Sequence, residues 1–128
     1  MVTRKLLALP LVLGALSAAA YFWRTPQHPV HTLDPHSIKA TVQIYSKASC
    51  TYCVQAKDLL RGKGAPFEEI ELDRTQPERR MEMMQRTGGK MSVPQIFINN
   101  HHIGGYSELT ELDYEGKLDG MLLAGPEG

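Results

Sequence analysis

Apolar residues along the chain change their spacing in a regular order, and each change marks an element. In Thr41–Ser46 the apolar Val42 and Ile44 alternate with polar neighbours, the period of a strand. Val54, Ala56, Leu59 and Leu60 then recur at helical spacing and stop at Gly62 and Gly64. From Phe67 to Leu72 the period returns to two, with Glu68, Ile70 and Leu72 on one face and Phe67, Glu69 and Glu71 on the other. Thr75-Gln76-Pro77-Glu78 has the form of a helix start box, Met81 and Met84 supply an apolar pair at i, i+3, and Gly88-Gly89 ends the helix. Gln95–Ile98 reads as a third strand, Asn99-Asn100 as a hairpin turn, and His101–Ile103 as its return. A last helix starts near Ser107 with Leu109 and Leu112 on its inner face; Gly116 interrupts it before a short amphipathic turn at Leu118–Leu123. The order β-α-β-α-β-β-α predicts an α/β domain: one four-stranded mixed sheet with helices on both faces.

The first 24 residues have neither period. After Arg4 and Lys5, residues Leu6 to Trp23 form an uncharged apolar run in which Ser17 is the clearly polar member. Positive charge ahead of an apolar stretch is the pattern of an export signal, and Ser17-Ala18-Ala19-Ala20 offers the small residues at which such signals are cut. The same run of 18 residues, at about 1.5 Å each, spans ~27 Å and could stay as a membrane anchor through residues 6–23, with Tyr21, Phe22 and Trp23 at the interface. Residues 1–24 are therefore expected to be a signal peptide or membrane anchor. The body would be anchored or exported, on the periplasmic side in a bacterium; the alternative is a mitochondrial transit peptide. Residues 25–39 hold Pro26, Pro29 and Pro35 with His28, His31 and His36, and read as a solvated linker rather than a metal site. Residues 40–128 remain as the folded domain.

Charge changes this picture in one respect. The formal net charge is zero, but residues 1–33 carry three basic side chains and no acidic one, whereas the following 95 carry 11 basic and 14 acidic. The body is mildly acidic and lacks the basic surplus that displaces counterions from phosphates, so a nucleic-acid partner is not expected. Two cysteines are too few for a disulfide scaffold or a four-cysteine zinc site.

Those two cysteines, in Cys50-Thr51-Tyr52-Cys53, fall between the first strand and the first helix. A structural disulfide three residues apart closes a very short loop and stabilises little. Zinc would need two further ligands, for which the tandem His101 and His102 are the candidates, and two inert buried thiols at a helix start would serve no purpose. Redox chemistry fits better. Unpaired N–H groups and the dipole at a helix start favour an anion, Lys47 adds positive charge, and only a thiolate attacks disulfides. Cys50 is then the nucleophile and Cys53 the resolving thiol. Metal ligands are not expected.

Around these cysteines the body resembles the glutaredoxin family, and within it the bacterial glutaredoxin 3 type. The resemblance is carried by Ile44-Tyr45-Ser46-Lys47, Cys50-x-Tyr52-Cys53, Ser92-Val93-Pro94-Gln95-Ile96-Phe97-Ile98 and His102-Ile103-Gly104-Gly105, in that order. It implies a thioredoxin-like fold and glutathione-dependent reduction of small and protein mixed disulfides, with glutathione as co-substrate and the protein acting as a monomer. By position, Val93 beside a cis Pro94 would pair with glutathione through its main chain, and Lys47 would meet a glutathione carboxylate. Tyr52 would wall the groove, Gly104 and Gly105 would let the ligand approach the backbone, and Ser107 and Glu108 would hold the γ-glutamyl end.

Three positions depart from the family pattern. Thr51 stands where proline is usual in dithiol members; members with a small hydroxyl residue there sometimes bridge a two-iron two-sulfur cluster between subunits, so a cluster carrier or sensor is an alternative reading. Ser107-Glu108 replaces the commoner acidic pair. Lys90 replaces an arginine and cannot chelate a carboxylate in bidentate fashion. If the domain is exported, oxidation or isomerisation of disulfides is a further alternative.

Overall fold

The computed structural model describes residues 31–126. The apolar run at residues 6–23, and with it the expected signal or anchor, lies outside them. Among the described residues no helix is long and apolar enough to cross a membrane.

The elements follow the expected order: β1 (Val42–Ser46), α1 (Thr51–Gly62), β2 (Glu68–Glu71), α2 (Pro77–Arg86), β3 (Gln95–Ile98), β4 (His101–Gly104), α3 (Tyr106–Tyr114) and α4 (Leu118–Leu123). The sheet runs β2-β1-β3-β4. β1 pairs in parallel with β2, with Tyr45 opposite Ile70, and antiparallel with β3, with Ile44 opposite Ile96. The β3–β4 hairpin turns on Asn99 and Asn100, both at positive φ (50° and 68°), which asparagine tolerates better than most residues. Asn99 also ties the turn down: its side chain accepts the Thr41 N–H and donates to the Ala124 carbonyl.

The two central strands are covered on both faces. On one, Val42, Ile44, Ile96 and Ile98 pack with Ala56 and Leu60 of α1, Leu109 of α3 and Leu118 and Leu122 of α4. On the other, Tyr45 and Phe97 pack with Leu72 and with Met83 of α2. This is the thioredoxin-like arrangement, a mixed four-stranded sheet with helices on both sides.

The differences from the sequence reading are local. Val54 is exposed, because Cys53 occupies the inward position and continues the stripe through Ala56 and Leu60. In α2 the buried methionine is Met83, not Met81, which is 61% exposed. Thr75 does not cap that helix: the Asp73 carboxylate takes both its N–H and its hydroxyl, and the helix opens at Pro77 after Gln76 with no side-chain cap. In the stretch read as a linker, residues 32–39 lie against the body. The Leu33 N–H donates to the Lys63 carbonyl at 3.0 Å, Leu33 and Ile38 pack on the core, and Asp34 caps a short 3₁₀ turn at Pro35–Ser37. His31 and His36 are exposed.

Candidate active site

Cys50 is the N-cap of α1. Its Sγ accepts the Cys53 N–H at 3.1 Å, one of the helix-start donors that no carbonyl can satisfy. Its own N–H donates to the Lys47 carbonyl at 3.3 Å, which holds the preceding loop in a turn. Cys50 is partly exposed, whereas Cys53 is 1% exposed beneath it, and the two are joined as a disulfide with Cα atoms 5.2 Å apart. An accessible sulfur at a helix N-terminus with a buried partner one turn on is the geometry of an attacking and a resolving thiol.

A second segment meets the sulfur from the sheet. The Val93–Pro94 peptide is cis, and the Val93 carbonyl lies 3.7 Å from Cys50 Sγ. From there an open groove of about 180 Å³ runs between the Ser92–Gln95 segment and the start of α3. Of the residues expected in the site, Tyr52, Val93, Pro94, Gly105, Ser107 and Glu108 all line it. Lys47 does not: it is exposed in the loop before Cys50, where its backbone serves the turn.

Lys90, read from the sequence as a weaker carboxylate partner than arginine, also lines the groove, and three further residues that sequence reasoning gave no role join it. Tyr106 lines the groove and stacks near Tyr52, ring centroids 5.9 Å apart and planes tilted by 32°. Ser92 and Gln95 form part of the wall. Tyr106 had no local signal, because its contact with Tyr52 spans two helices. Gln95 and Ser92 were visible as motif letters without a role.

Glu108 does two things. Its Oε2 accepts the Gly105 N–H at 2.8 Å, as the third residue of a helix does when it caps its own start. Backbone N–H groups, its own and that of Gly105, and the charge of Lys90 hold its carboxyl below the usual range, so it faces the groove ionised. Gly104 differs from expectation: at φ +120°, a Cβ there would sit 2.9 Å from Glu108 Cγ. Its freedom serves this close packing, and Gly104 is not among the residues that line the groove. Gly105 does face the groove, with a Cβ position 3.5 Å from the Pro94 carbonyl. Among the described residues no group of three or more His, Cys, Asp or Glu side chains is placed to hold a metal ion.

The glutaredoxin family model matches residues 42–103. Glutaredoxin 1 of Rickettsia prowazekii is 46% identical over 86 residues, 67% of this chain and 90% of the relative. The chain belongs to the glutaredoxin family. Glutaredoxin 3 of Escherichia coli is 47% identical over 83 residues, 65% of this chain and 98% of that protein. Among solved structures, a buckwheat glutaredoxin–glutathione complex matches with a TM-score of 0.59 and 33% identity, covering 65% of this chain and 76% of that one. With its Cys50–Cys53 pair, this glutaredoxin is a thiol–disulfide oxidoreductase.

Proposed function

We propose that the protein uses glutathione to reduce small and protein mixed disulfides, with the glutathionyl moiety lying in the groove that ends at Cys50. The contact between Cys50 Sγ and the carbonyl of Val93, which itself lines the open groove, carries the reading. An extended peptide laid along Val93 finds main-chain partners as an added strand would, and its sulfur comes to Cys50. Glutathione is such a peptide, with two carboxylates and one ammonium. Lys90 offers a cation to a carboxylate, the ionised Glu108 and the Ser107 hydroxyl suit the ammonium end, and Tyr52 closes the side next to the sulfur. Lys47 has to swing in from solvent to reach a carboxylate.

The chemistry is two exchanges. The Cys50 thiolate attacks the glutathionyl sulfur of a mixed disulfide, the old S–S bond breaks, and the partner thiol leaves reduced. A glutathione thiolate then attacks the Cys50-bound glutathionyl sulfur, releasing glutathione disulfide and restoring Cys50. The net reaction consumes one mixed disulfide and one free glutathione and yields the partner thiol and glutathione disulfide, half of which comes from the substrate. In the other branch Cys53 attacks Cys50 Sγ, expels glutathione and forms the intramolecular disulfide, which two further glutathiones reduce.

Coupled NADPH oxidation with glutathione, glutathione reductase and a small glutathione mixed disulfide tests this. Cys50→Ser is expected to abolish turnover, while Cys53→Ser keeps it. Folded wild-type protein that oxidises no glutathione would overturn the reading.

A further inference from the structure

Behind the groove, three side chains outside the redox pair form a continuous hydrogen-bonded line. Gln95 is 2% exposed. Its Nε2 donates to the Ser92 carbonyl at 3.0 Å and lies 3.2 Å from the Ser92 hydroxyl. A carbonyl only accepts, so the amide must turn its NH₂ to Ser92 and its oxygen the other way. That oxygen, Oε1, lies 2.7 Å from His102 Nε2, which must therefore carry the proton. Burial, then Lys90, hold His102 below the ordinary imidazole range; Arg86 adds to this and Glu108 opposes it. The hydrogen bonds fix a proton on Nε2.

The ring is also fixed in space. β4 places His102 opposite Phe97, and the two rings stack with centroids 5.1 Å apart. Gln95 is two residues from Phe97, on the same face of β3. A register shift between Ile96 and Phe97 falls between these pairs and the groove end of the hairpin. We propose that His102 is a positioning residue: clamped on Phe97, it orients the Gln95 amide, which holds Ser92 and thereby sets Val93 against Cys50. The inference rests on the proposed binding of glutathione along Val93, because its benefit is a ligand-facing backbone already in place before the peptide arrives. Without His102 the buried Gln95 oxygen loses its donor, and an amide flip that would satisfy it sets two acceptors face to face at Ser92.

The test compares wild type with His102→Leu, His102→Gln, Gln95→Leu and the double variant His102→Leu/Gln95→Leu. Two readouts are used: KM and kcat for glutathione, and amide hydrogen exchange at Ser92, Val93 and Gln95 in the oxidised protein without glutathione. His102→Leu is expected to raise KM about tenfold with kcat within about twofold, and to speed exchange at those amides about tenfold. His102→Gln, which returns a donor near the Nε2 position, should bring both back to within about twofold of wild type. Gln95→Leu leaves the ring stack intact and should show the same loop exchange, with the double variant no worse. The proposal fails if His102→Leu leaves exchange at these amides unchanged. It also fails if the increase spreads over all of β3 and β4, or if His102→Gln behaves as His102→Leu. Should His102→Leu not fold, His102→Gln against Gln95→Leu decides by the same loop signature. A wild-type protein that turns over no glutathione removes the functional reading; the exchange pattern still judges the relay.

Discussion

Replacing Lys63 with methionine should separate the stability of this glutaredoxin from its chemistry. Lys63 follows the last turn of α1, with its side chain 11% exposed, and its Nζ pairs with Asp113 at the end of α3 and, at 2.8 Å, with Asp119 in α4. Burial works to lower its pKa, but the hydrogen bonding and charge of the two aspartates outweigh this and hold it above the ordinary lysine value. Fully buried charge-assisted pairs contribute about 1.5–3 kcal/mol each; carboxylates 32% and 30% exposed reduce that to about 1 kcal/mol each. Methionine keeps the apolar stem, so Lys63→Met is expected to cost about 2 kcal/mol, or roughly 10 °C in Tm for a domain of this size. Chemical denaturation at pH 7 measures it, with turnover at 25 °C as the control. The sign with pH follows from linkage: a raised folded pKa contributes stability that is whole below about pH 10.4 and is lost as pH rises through the folded value. The gap between wild type and variant should therefore close in alkali. A variant within about 0.5 kcal/mol of wild type, or a gap that does not change with pH, would refute the argument.

Other perturbations give distinct outcomes. Arg86→Met removes a guanidinium 3.8 Å above the Phe97 ring that also donates to the Tyr45 hydroxyl, Gln43 and Asn100; urea unfolding should show a loss of about 2–3 kcal/mol. Gly104→Ala, at φ +120° with Glu108 in the way, should cost about 2 kcal/mol or more in the same assay, and a neutral result would show that the hairpin end yields freely. Glu69 is held below the usual carboxylate range first by its hydrogen bond from Lys57 and then by that from Ser46. A lowered folded pKa gives stability that is present above about pH 4.3 and lost as pH falls through the folded value, so Glu69→Gln should flatten the acid limb of the stability curve.

Much of the architecture was legible because strand and helix periods alternate cleanly and turns fall on Gly and Asn pairs. The errors share a cause. Met81 and Val54 are apolar letters whose helix faces depend on which neighbour fills the core, and in α1 that neighbour is Cys53, read at first only as chemistry. Thr75 looked like a cap, but Asp73, two residues earlier, competes for the same hydroxyl and N–H. In the site, motif letters brought Tyr52, Val93, Gly105 and Glu108 to one groove. Tyr106 and His102 make their contacts, with Tyr52 and with Phe97 and Gln95, across helices or strands, which no local pattern encodes. Glu108 was partly legible: Gly105 and a glutamate three residues on have capping spacing, so its bond to the Gly105 N–H could have been foreseen.

Tyr52 of α1 and the first turn of α3 both border the groove, and the structure joins these two helices at both ends. Tyr52 and Tyr106 meet at the front, one turn or less from Cys50 and Gly105. Lys63 and Asp113 meet at the back. The helices therefore run in the same direction, and both N-termini, with their unpaired N–H groups, open on the same side. That direction matters because thiolate at Cys50 and carboxylate on a bound peptide are both favoured by helix starts. Between the two ends Ala56, Leu60 and Leu109 are fully buried and hold the spacing by packing alone. Loss of the rear ion pairs should thus lower the melting temperature while the groove keeps its width in the folded protein. This is why Lys63→Met is expected to change stability without changing turnover at 25 °C. A fall in turnover in fully folded Lys63→Met protein would mean that the rear contact, and not the apolar middle, sets the distance between the two helix starts.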